Sequence, residues 1–252
     1  MIRTYISRLL SIFINSLEKH VYNIWYDYPF GKEPKASVDY YLELANKASK
    51  ESYSEIDAYE QRTGYSINQK WINELALHTQ IVIKESPLCY AHGRVLYSAL
   101  SSYLGQYQPD SVTNSITIWE TGTARGFSSL CMAKALFDHQ FAGKIITFDV
   151  LPHYTKMYWN CIDDHERPKT RAELLNPWKS LVDKYILFHQ GDTRFELPKV
   201  KTGRVHFAFL DGAHTYNDVL FEFSQISKQQ QSGDIIVYDD YTPKQYPGIV
   251  RA

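Results

Sequence analysis

The sequence predicts an α/β fold: a mostly parallel sheet flanked by helices, preceded by an α-helical N-terminal region. Five short runs rich in β-branched and aromatic residues follow Pro109, and segments with helical periodicity separate them. Strands that alternate with helices form right-handed βαβ units, which makes neighbouring strands parallel. Residues 208–210 and 235–237 are continuously apolar, as strands covered on both faces are. We therefore divide the chain into a helical region, residues 1–109, and a sheet domain, residues 110–252.

The strands are predicted over residues 116–120, 144–150, 185–190, 205–210 and 234–238, with helices from Phe127 to about His139 and from near Tyr216. Two helical faces recur in the N-terminal region, and the helix that carries the second face ends near Gly105. Their members are Ile67, Trp71, Leu75 and His78, then Leu88, His92, Val95, Leu96, Ala99 and Tyr103. Residues 152–170 fit neither period. We expect there an insertion near the mouth of a site, with the acidic run from Cys161 to Glu166 in a solvated loop.

Composition narrows the classes of function. Lys and Arg number 27 against 28 for Asp and Glu, without a dense basic stripe, so no nucleic-acid partner is expected. The cysteines Cys89, Cys131 and Cys161 show no CxxC spacing, which predicts reduced thiols in a cytoplasmic protein.

The first 21 residues carry an apolar stripe at helical spacing: Ile2, Ile6, Leu9, Phe13, Leu17 and Val21. Its apolar run is too short to span a bilayer, and no small-residue cleavage site follows it. We expect this helix to pack on its own domain or on a second subunit. Contact with a membrane surface stays open as the alternative.

The first predicted strand ends in Glu120 and is followed by a glycine-bearing turn and a helix. Gly122 and Gly126 allow the backbone to approach a ligand closely. The helix that begins around Ser128, with Thr123 in the turn before it, offers free N–H groups to a carboxylate or phosphate. A purely structural turn is the alternative.

The next two strands also end in acids. Asp149, at the end of the second strand, can accept both hydroxyls of a ribose, and Asp192, after the third strand, can meet an adenine amino group. A helix N-cap for Asp149 and an ordinary Gly-Asp turn at Asp192 are the alternatives.

Asp211 follows the fourth strand, and Asp239 and Asp240 follow the fifth. Because the carboxyl ends of parallel strands share one edge, these three acids should converge, which is costly unless a cation or protons neutralise them. Oxygen ligands suit Mg²⁺, Mn²⁺ or Ca²⁺. His214, three residues after Asp211, is placed to take a proton from a substrate hydroxyl. The alternatives are a helix cap, a solvent-facing acid and a backbone-bonded His.

Together these strand-end motifs resemble class I S-adenosylmethionine-dependent methyltransferases, which have a Rossmann-like sheet. The resemblance extends from Ile116 to the C-terminus. Residues 120–126, ETGTARG, look like the first motif of that family, while 209–216, FLDGAHTY, and 239–243, DDYTP, are similar to its small-molecule O-methyltransferase branch. That branch includes macrocin-type sugar O-methyltransferases and, more distantly, catechol O-methyltransferase.

The resemblance implies roles for these residues. Glu120, Gly122, Thr123, Gly126 and Ser128 would surround the methionine end of S-adenosylmethionine. The adenosine part would meet Asp149 and Asp192, with Asp211 also beside the cofactor. Asp211, Asp239 and Asp240 would bind a divalent cation, with Mg²⁺ expected, and His214 would be the catalytic base.

The implied function is methyl transfer to a hydroxyl of a small molecule, with a sugar preferred. The helical region would cover the substrate side or form a homodimer contact. Three alternatives stay open: a metal-independent methyltransferase, a non-catalytic adenosyl-ligand-binding protein, and an NAD-type oxidoreductase, against which the GxxxG spacing argues. The family sheet normally continues with a helix and an antiparallel strand pair. Because the sequence stops at Ala252, we expect these strands to be missing, in a fragment or a shortened variant.

Overall fold

The computed structural model describes residues 28–108 and 115–252. The predicted amphipathic stripe within the first 21 residues and the predicted domain boundary at Pro109 lie outside the described residues.

Four helices form the described part of the N-terminal region: α1 (Val38–Ala48), α2 (Ser54–Thr63), α3 (Gln69–Thr79) and α4 (His92–Gln106). The Ser37 and Asn68 side chains cap the amino ends of α1 and α3 by accepting bonds from backbone N–H groups. The two helical faces predicted from the sequence lie on α3 and α4, with Ile67 and Leu88 just before the helix starts.

The sheet contains β1 (Ser115–Thr121), β2 (Ala142–Asp149), β3 (Ile186–Gln190), β4 (Phe207–Leu210) and β5 (Ile235–Tyr238). Its order is β3-β2-β1-β4-β5 and all four strand pairings are parallel. This confirms the predicted Rossmann-like architecture. The order reverses beside β1, where ligands of open α/β sheets bind.

The connecting helices are α5 (Phe127–Asp138), α6 (Arg171–Leu174), α7 (Lys179–Tyr185), α8 (Thr193–Glu196), α9 (Tyr216–Ser227) and α10 (Pro247–Arg251). In the part of the chain that the structure describes, no helix is both long and apolar enough to cross a membrane.

The helical region and the sheet share one hydrophobic core, in which Leu96 and Leu100 of α4 pack with Leu130 of α5 and Ile118 of β1. The two helices approach closely at Gly93. A Cβ there would lie 2.6 Å from the Phe127 ring and 2.8 Å from the Cys131 sulfur. Only glycine allows α4 to sit this close to the start of α5, so the helical region is fixed against the edge of the sheet that carries the strand-end acids.

The insertion after β2 has a core of its own, formed by Met157, Trp159, Cys161 and Leu174. We expected the acidic run from Cys161 to Glu166 to lie in a solvated loop. This expectation was wrong for Asp163 and Asp164, whose side chains are buried.

The Asp163 carboxylate is paired on both oxygens, with His78 Nδ1 of α3 at 2.6 Å and with Lys169 Nζ at 2.7 Å. Paired charges tolerate burial where single ones do not. This pairing also attaches the insertion to the helical region.

Candidate functional site

The loop after β1 contacts the loop after β4. Gly122 has φ +87°, and a Cβ on it would lie only 2.0 Å from the Asp211 carbonyl oxygen. Gly126 has φ +88° and directly precedes α5, whose amino end has no side-chain cap. Glycine at both positions therefore lets the loop fold tightly beside the Asp211 loop, and leaves a helix start open to an anionic group.

Glu120 is the next-to-last residue of β1, just before this loop, and its side chain lies in the protein interior. Its side chain is fully buried, and Oε2 accepts a hydrogen bond from Ser129. Burial raises the pKa of Glu120, while hydrogen bonds from Ser128, Ser129 and Thr147 oppose the rise. Thr123 is also buried and hydrogen-bonded to Thr147. These hydrogen bonds hold the buried side chains of Glu120 and Thr123 beneath the loop. Contact of Glu120 with the methionine part of S-adenosylmethionine stays a prediction.

Asp149 ends β2 and is held in place from three sides. Its Oδ2 accepts a hydrogen bond from Ala124 N–H, and its Oδ1 accepts one from Leu151 N–H at 2.6 Å. Arg171 of the insertion lies 3.4 Å from Oδ2 and donates to the Ala124 carbonyl at 2.8 Å. Burial raises the pKa of Asp149, and Arg171 works against that rise. Sequence reasoning missed Arg171, which belongs to no motif.

Asp192 acts as the N-cap of α8, accepting from Arg194 N–H at 2.9 Å, and pairs with the Arg194 guanidinium at 2.6 Å. That hydrogen-bonded partner lowers the pKa of Asp192. The turn role weighed from the sequence is therefore present, and the adenine contact stays a prediction.

The acids after β4 and β5 meet at one point. Donor atoms of Asp211, His214 and Asp240 all lie within 4.8 Å of one another. His214 Nε2 is 3.1 Å from Asp240 Oδ2 and 3.8 Å from Asp211 Oδ1, with an alignment that falls short of a hydrogen bond. Asp239, predicted from the sequence as a ligand, lies outside this group. Asp240 adopts a left-handed backbone, φ +52°, which directs the second of the two adjacent acids toward His214.

The electrostatics of this cluster follow from burial and from its like charges. Burial raises the pKa of Asp211 to about 7; His214 opposes that rise, and Asp239 adds to it. Burial also raises the pKa of Asp240, with Asp239 adding to the rise. The neighbouring Asp211 carboxylate raises the pKa of His214. The two carboxylates, costly as bare charges, are oxygen donors that fit a divalent cation, and the imidazole lies beside them.

Two aromatic contacts bound the cluster. The Tyr246 ring stacks on His214 with 4.5 Å between centroids. On the other side, His92 of α4 lies between Phe127 and Phe209, at 5.0 and 6.3 Å. Burial lowers the pKa of His92, and the charges of Asp239 and Asp240 oppose that fall.

The two neighbours of His92 on α4 do not face the acids. Arg94 pairs with Asp57 and Glu60, and Tyr97 donates to Asp138 at 2.8 Å. These contacts use the Arg94 and Tyr97 side chains in packing rather than at the acid cluster.

Comparisons with known proteins agree with this architecture. Residues 119–241 match the model of a family described as a methyltransferase domain. No curated protein sequence matches the chain. Among solved structures, an S-adenosylhomocysteine-bound methyltransferase of Podospora anserina aligns at 14% identity, covering 83% of this chain and 73% of that one, with a TM-score of 0.42.

Two further structures are similar at the same level. CalS11, a TDP-rhamnose 3'-O-methyltransferase of calicheamicin biosynthesis, aligns at 15% identity over 80% of this chain and 84% of its own, with a TM-score of 0.44. A putative caffeoyl-CoA O-methyltransferase of Staphylococcus aureus aligns at 13% over 80% and 72%, with a TM-score of 0.42. The family match identifies residues 119–241 as a methyltransferase domain, and the sheet order and the glycine loop fit an S-adenosylmethionine-dependent enzyme.

Proposed function

We propose that the protein transfers a methyl group to a hydroxyl of a small molecule, with a sugar as the preferred acceptor, and that it uses a divalent cation. The observation that carries this proposal is the convergence of Asp211, His214 and Asp240 within 4.8 Å, beside the glycine loop. A proton acceptor next to two carboxylates is suited to deprotonating a hydroxyl, and no buried cysteine or other nucleophile takes part in the cluster.

The residues at the sheet edge fit S-adenosylmethionine, which supplies the methyl group when bound. Gly122 and Gly126 with the start of α5 would hold the methionine end, Asp149 the ribose and Asp192 the adenine. Arg171 fixes Asp149 and the Ala124 carbonyl together, so the insertion would stabilise the adenosine side of the site.

Asp211 and Asp240 would hold the cation, which when bound lowers the pKa of a coordinated hydroxyl. Asp239, the third predicted ligand, lies outside the group of converging atoms and adds its charge to the cluster, and its role as a ligand stays a prediction. His214 would accept the acceptor's proton at Nε2, held in orientation by the Tyr246 ring. The chain contributes mainly by positioning these groups and by electrostatics.

The test is calorimetric titration with S-adenosylhomocysteine, with and without Mg²⁺, followed by methyl-transfer assays on sugar and phenol hydroxyls. We expect Asp240→Asn to abolish turnover and leave cofactor binding nearly intact. The matched control is Asp39→Asn, which removes an exposed acid on α1. His214→Ala should lower the rate by roughly 10²–10⁴.

Two outcomes would change the proposal. Equal loss of turnover and cofactor affinity in the Asp240 variant would argue against its role at the acceptor. Activity that survives chelation would favour the metal-independent alternative.

A further inference from the structure

The glycine loop between β1 and α5 is contacted from outside by the insertion after β2. Ala124, in the middle of this loop, has φ +46°, a left-handed backbone that a residue with a Cβ rarely adopts. Both of its backbone polar groups have partners: its N–H donates to Asp149, and its carbonyl accepts from Arg171 Nε at 2.8 Å. These two bonds hold Ala124 in a conformation that its own backbone preference disfavours.

Arg125, the next residue of the loop, makes the reciprocal contact. Its Nε donates to the Trp159 carbonyl of the insertion at 2.6 Å. The loop and the insertion therefore exchange arginines, because Arg171 of the insertion bonds a loop carbonyl while Arg125 of the loop bonds an insertion carbonyl. One residue further along, a Cβ on Gly126 would lie 2.8 Å from the side chain of Leu175, just after α6. The loop thus packs directly against the insertion as well as bonding to it.

Buried contacts fix the insertion side of this exchange. The Arg171 side chain is almost fully buried, and its Cζ lies over the Trp159 and Phe188 rings, at 5.6 and 5.7 Å from their centroids. Trp159 N–H donates to Asp164 Oδ1 at 2.7 Å, and the indole Nε1 donates to the Lys169 carbonyl at 2.8 Å. A planar guanidinium over aromatic rings keeps one orientation, and a tryptophan bonded at its backbone and at its ring keeps its carbonyl in place.

We propose that Arg125 and Arg171, here called the arginine pair, are positioning residues for the cofactor. They hold the glycine loop in the left-handed conformation that S-adenosylmethionine meets, and they act through Ala124 and Asp149 rather than on the methyl acceptor. The insertion then sets the affinity for the cofactor, although it carries none of the strand-end acids. This role rests on the cofactor site of the proposed function and requires neither the cation nor the acceptor.

Calorimetric titration of the full chain with S-adenosylhomocysteine tests this role. Arg125→Lys and Arg171→Lys each keep the positive charge and remove the Nε–H that bonds the carbonyl. Because a hydrogen bond from a charged group then no longer holds the loop, we expect the Kd to rise roughly 10- to 100-fold in either variant. Arg125 is only half-buried, so its variant keeps the test available if Arg171→Lys does not fold.

The matched control is Arg204→Lys. Arg204 also pairs with an acid, Asp234, at 2.8 Å, and its Cζ also lies over an aromatic ring, that of Tyr107, at 5.9 Å. It directly precedes the start of β4 and therefore lies at the edge of the sheet opposite the strand-end acids. This variant should lower the Tm and leave the Kd for S-adenosylhomocysteine unchanged.

Ala124→Gly separates a positioning role from a general loss of stability. Glycine adopts the left-handed backbone without the cost that a Cβ brings, so the loop then depends less on its bonds to the insertion. Alone, this substitution should leave the Kd within about threefold of the wild-type value, and combined with either lysine variant of the arginine pair it should recover about fivefold in affinity. A substitution that only destabilises the fold would show no such recovery.

Three results would overturn the proposal: an unchanged Kd in the lysine variants of the arginine pair, a loss of affinity no larger than that of Arg204→Lys, or a loss that Ala124→Gly does not reduce. In each of these cases, binding of S-adenosylhomocysteine by the wild-type chain would still support the proposed function. A folded wild-type chain that does not bind this ligand would contradict the cofactor site itself and would remove both proposals.

Discussion

Gly122→Ala should destabilise the protein through a backbone clash at the site. The residue has φ +87°, and the added Cβ would lie 2.0 Å from the Asp211 carbonyl oxygen. A left-handed backbone costs a non-glycine residue roughly 1–2 kcal/mol. Relieving the clash requires a shift of two backbone segments, and overpacking of this kind costs typically about 1–3 kcal/mol more. The expected loss of unfolding free energy is therefore about 2–5 kcal/mol.

Gly203→Ala is the matched control, because Gly203 has φ +79° and its added Cβ would meet nothing within 4 Å. This variant should lose only the roughly 1–2 kcal/mol of unfolding free energy that a left-handed backbone costs a non-glycine residue. Thermal unfolding should therefore place the Tm of the Gly122 variant roughly 2–12 °C below that of the Gly203 variant. Since the shift displaces Asp211, the affinity for S-adenosylhomocysteine should fall in the Gly122 variant alone. Equal Tm values for the two variants would refute the close approach of the β1 and β4 loops.

Two further predictions concern the acid cluster and the hydrogen bonds between the Asn160 side chain and the Ile83 backbone. Because the folded pKa of Asp211, about 7, is above its ordinary value, the folded state holds a proton that the unfolded state has released, and stability falls as the pH rises between the two values. In the presence of a chelator, Asp211→Asn should raise the Tm at about pH 8, and this gain should be lost near pH 4. A gain in Tm that does not depend on pH would contradict the burial of this carboxyl. Asn160→Ala leaves both backbone groups of Ile83 without their partner and should cost about 2–4 kcal/mol in urea unfolding. It should also speed amide hydrogen exchange around Ile83. Unchanged exchange there would exclude the two hydrogen bonds between Asn160 and Ile83.

The strand-end acids were predictable because their positions follow from a general property of parallel sheets. The strands could be located from their composition and from the helices between them, and each acid then had to lie at the shared edge. Which of Asp239 and Asp240 lies closer to His214 was not predictable. Adjacent residues at a strand end point in different directions, and only the left-handed backbone of Asp240 shows which carboxylate faces His214.

The insertion shows the opposite case. Its polar composition between Cys161 and Glu166 is typical of a solvated loop, yet Asp163 is buried because both of its carboxylate oxygens have partners, on His78 and Lys169. His78 lies 85 residues away in the sequence, and its helical spacing indicates only a packed face. Long-range pairing of single charges leaves no periodic trace, so sequence patterns predict exposure where the fold provides partners.

The residues proposed to hold the cofactor and the helical region that precedes them are separate in the sequence. The methyltransferase family match begins at residue 119, after the helical region, and includes every residue proposed to hold the cofactor. His92 precedes it, and its ring lies beside Phe127 and Phe209 because Gly93 allows α4 to pack directly on the start of α5. Acceptor choice should therefore vary with residues 28–108 independently of cofactor affinity. Substitutions in residues 28–108 should change which molecule is methylated while S-adenosylhomocysteine binding stays constant.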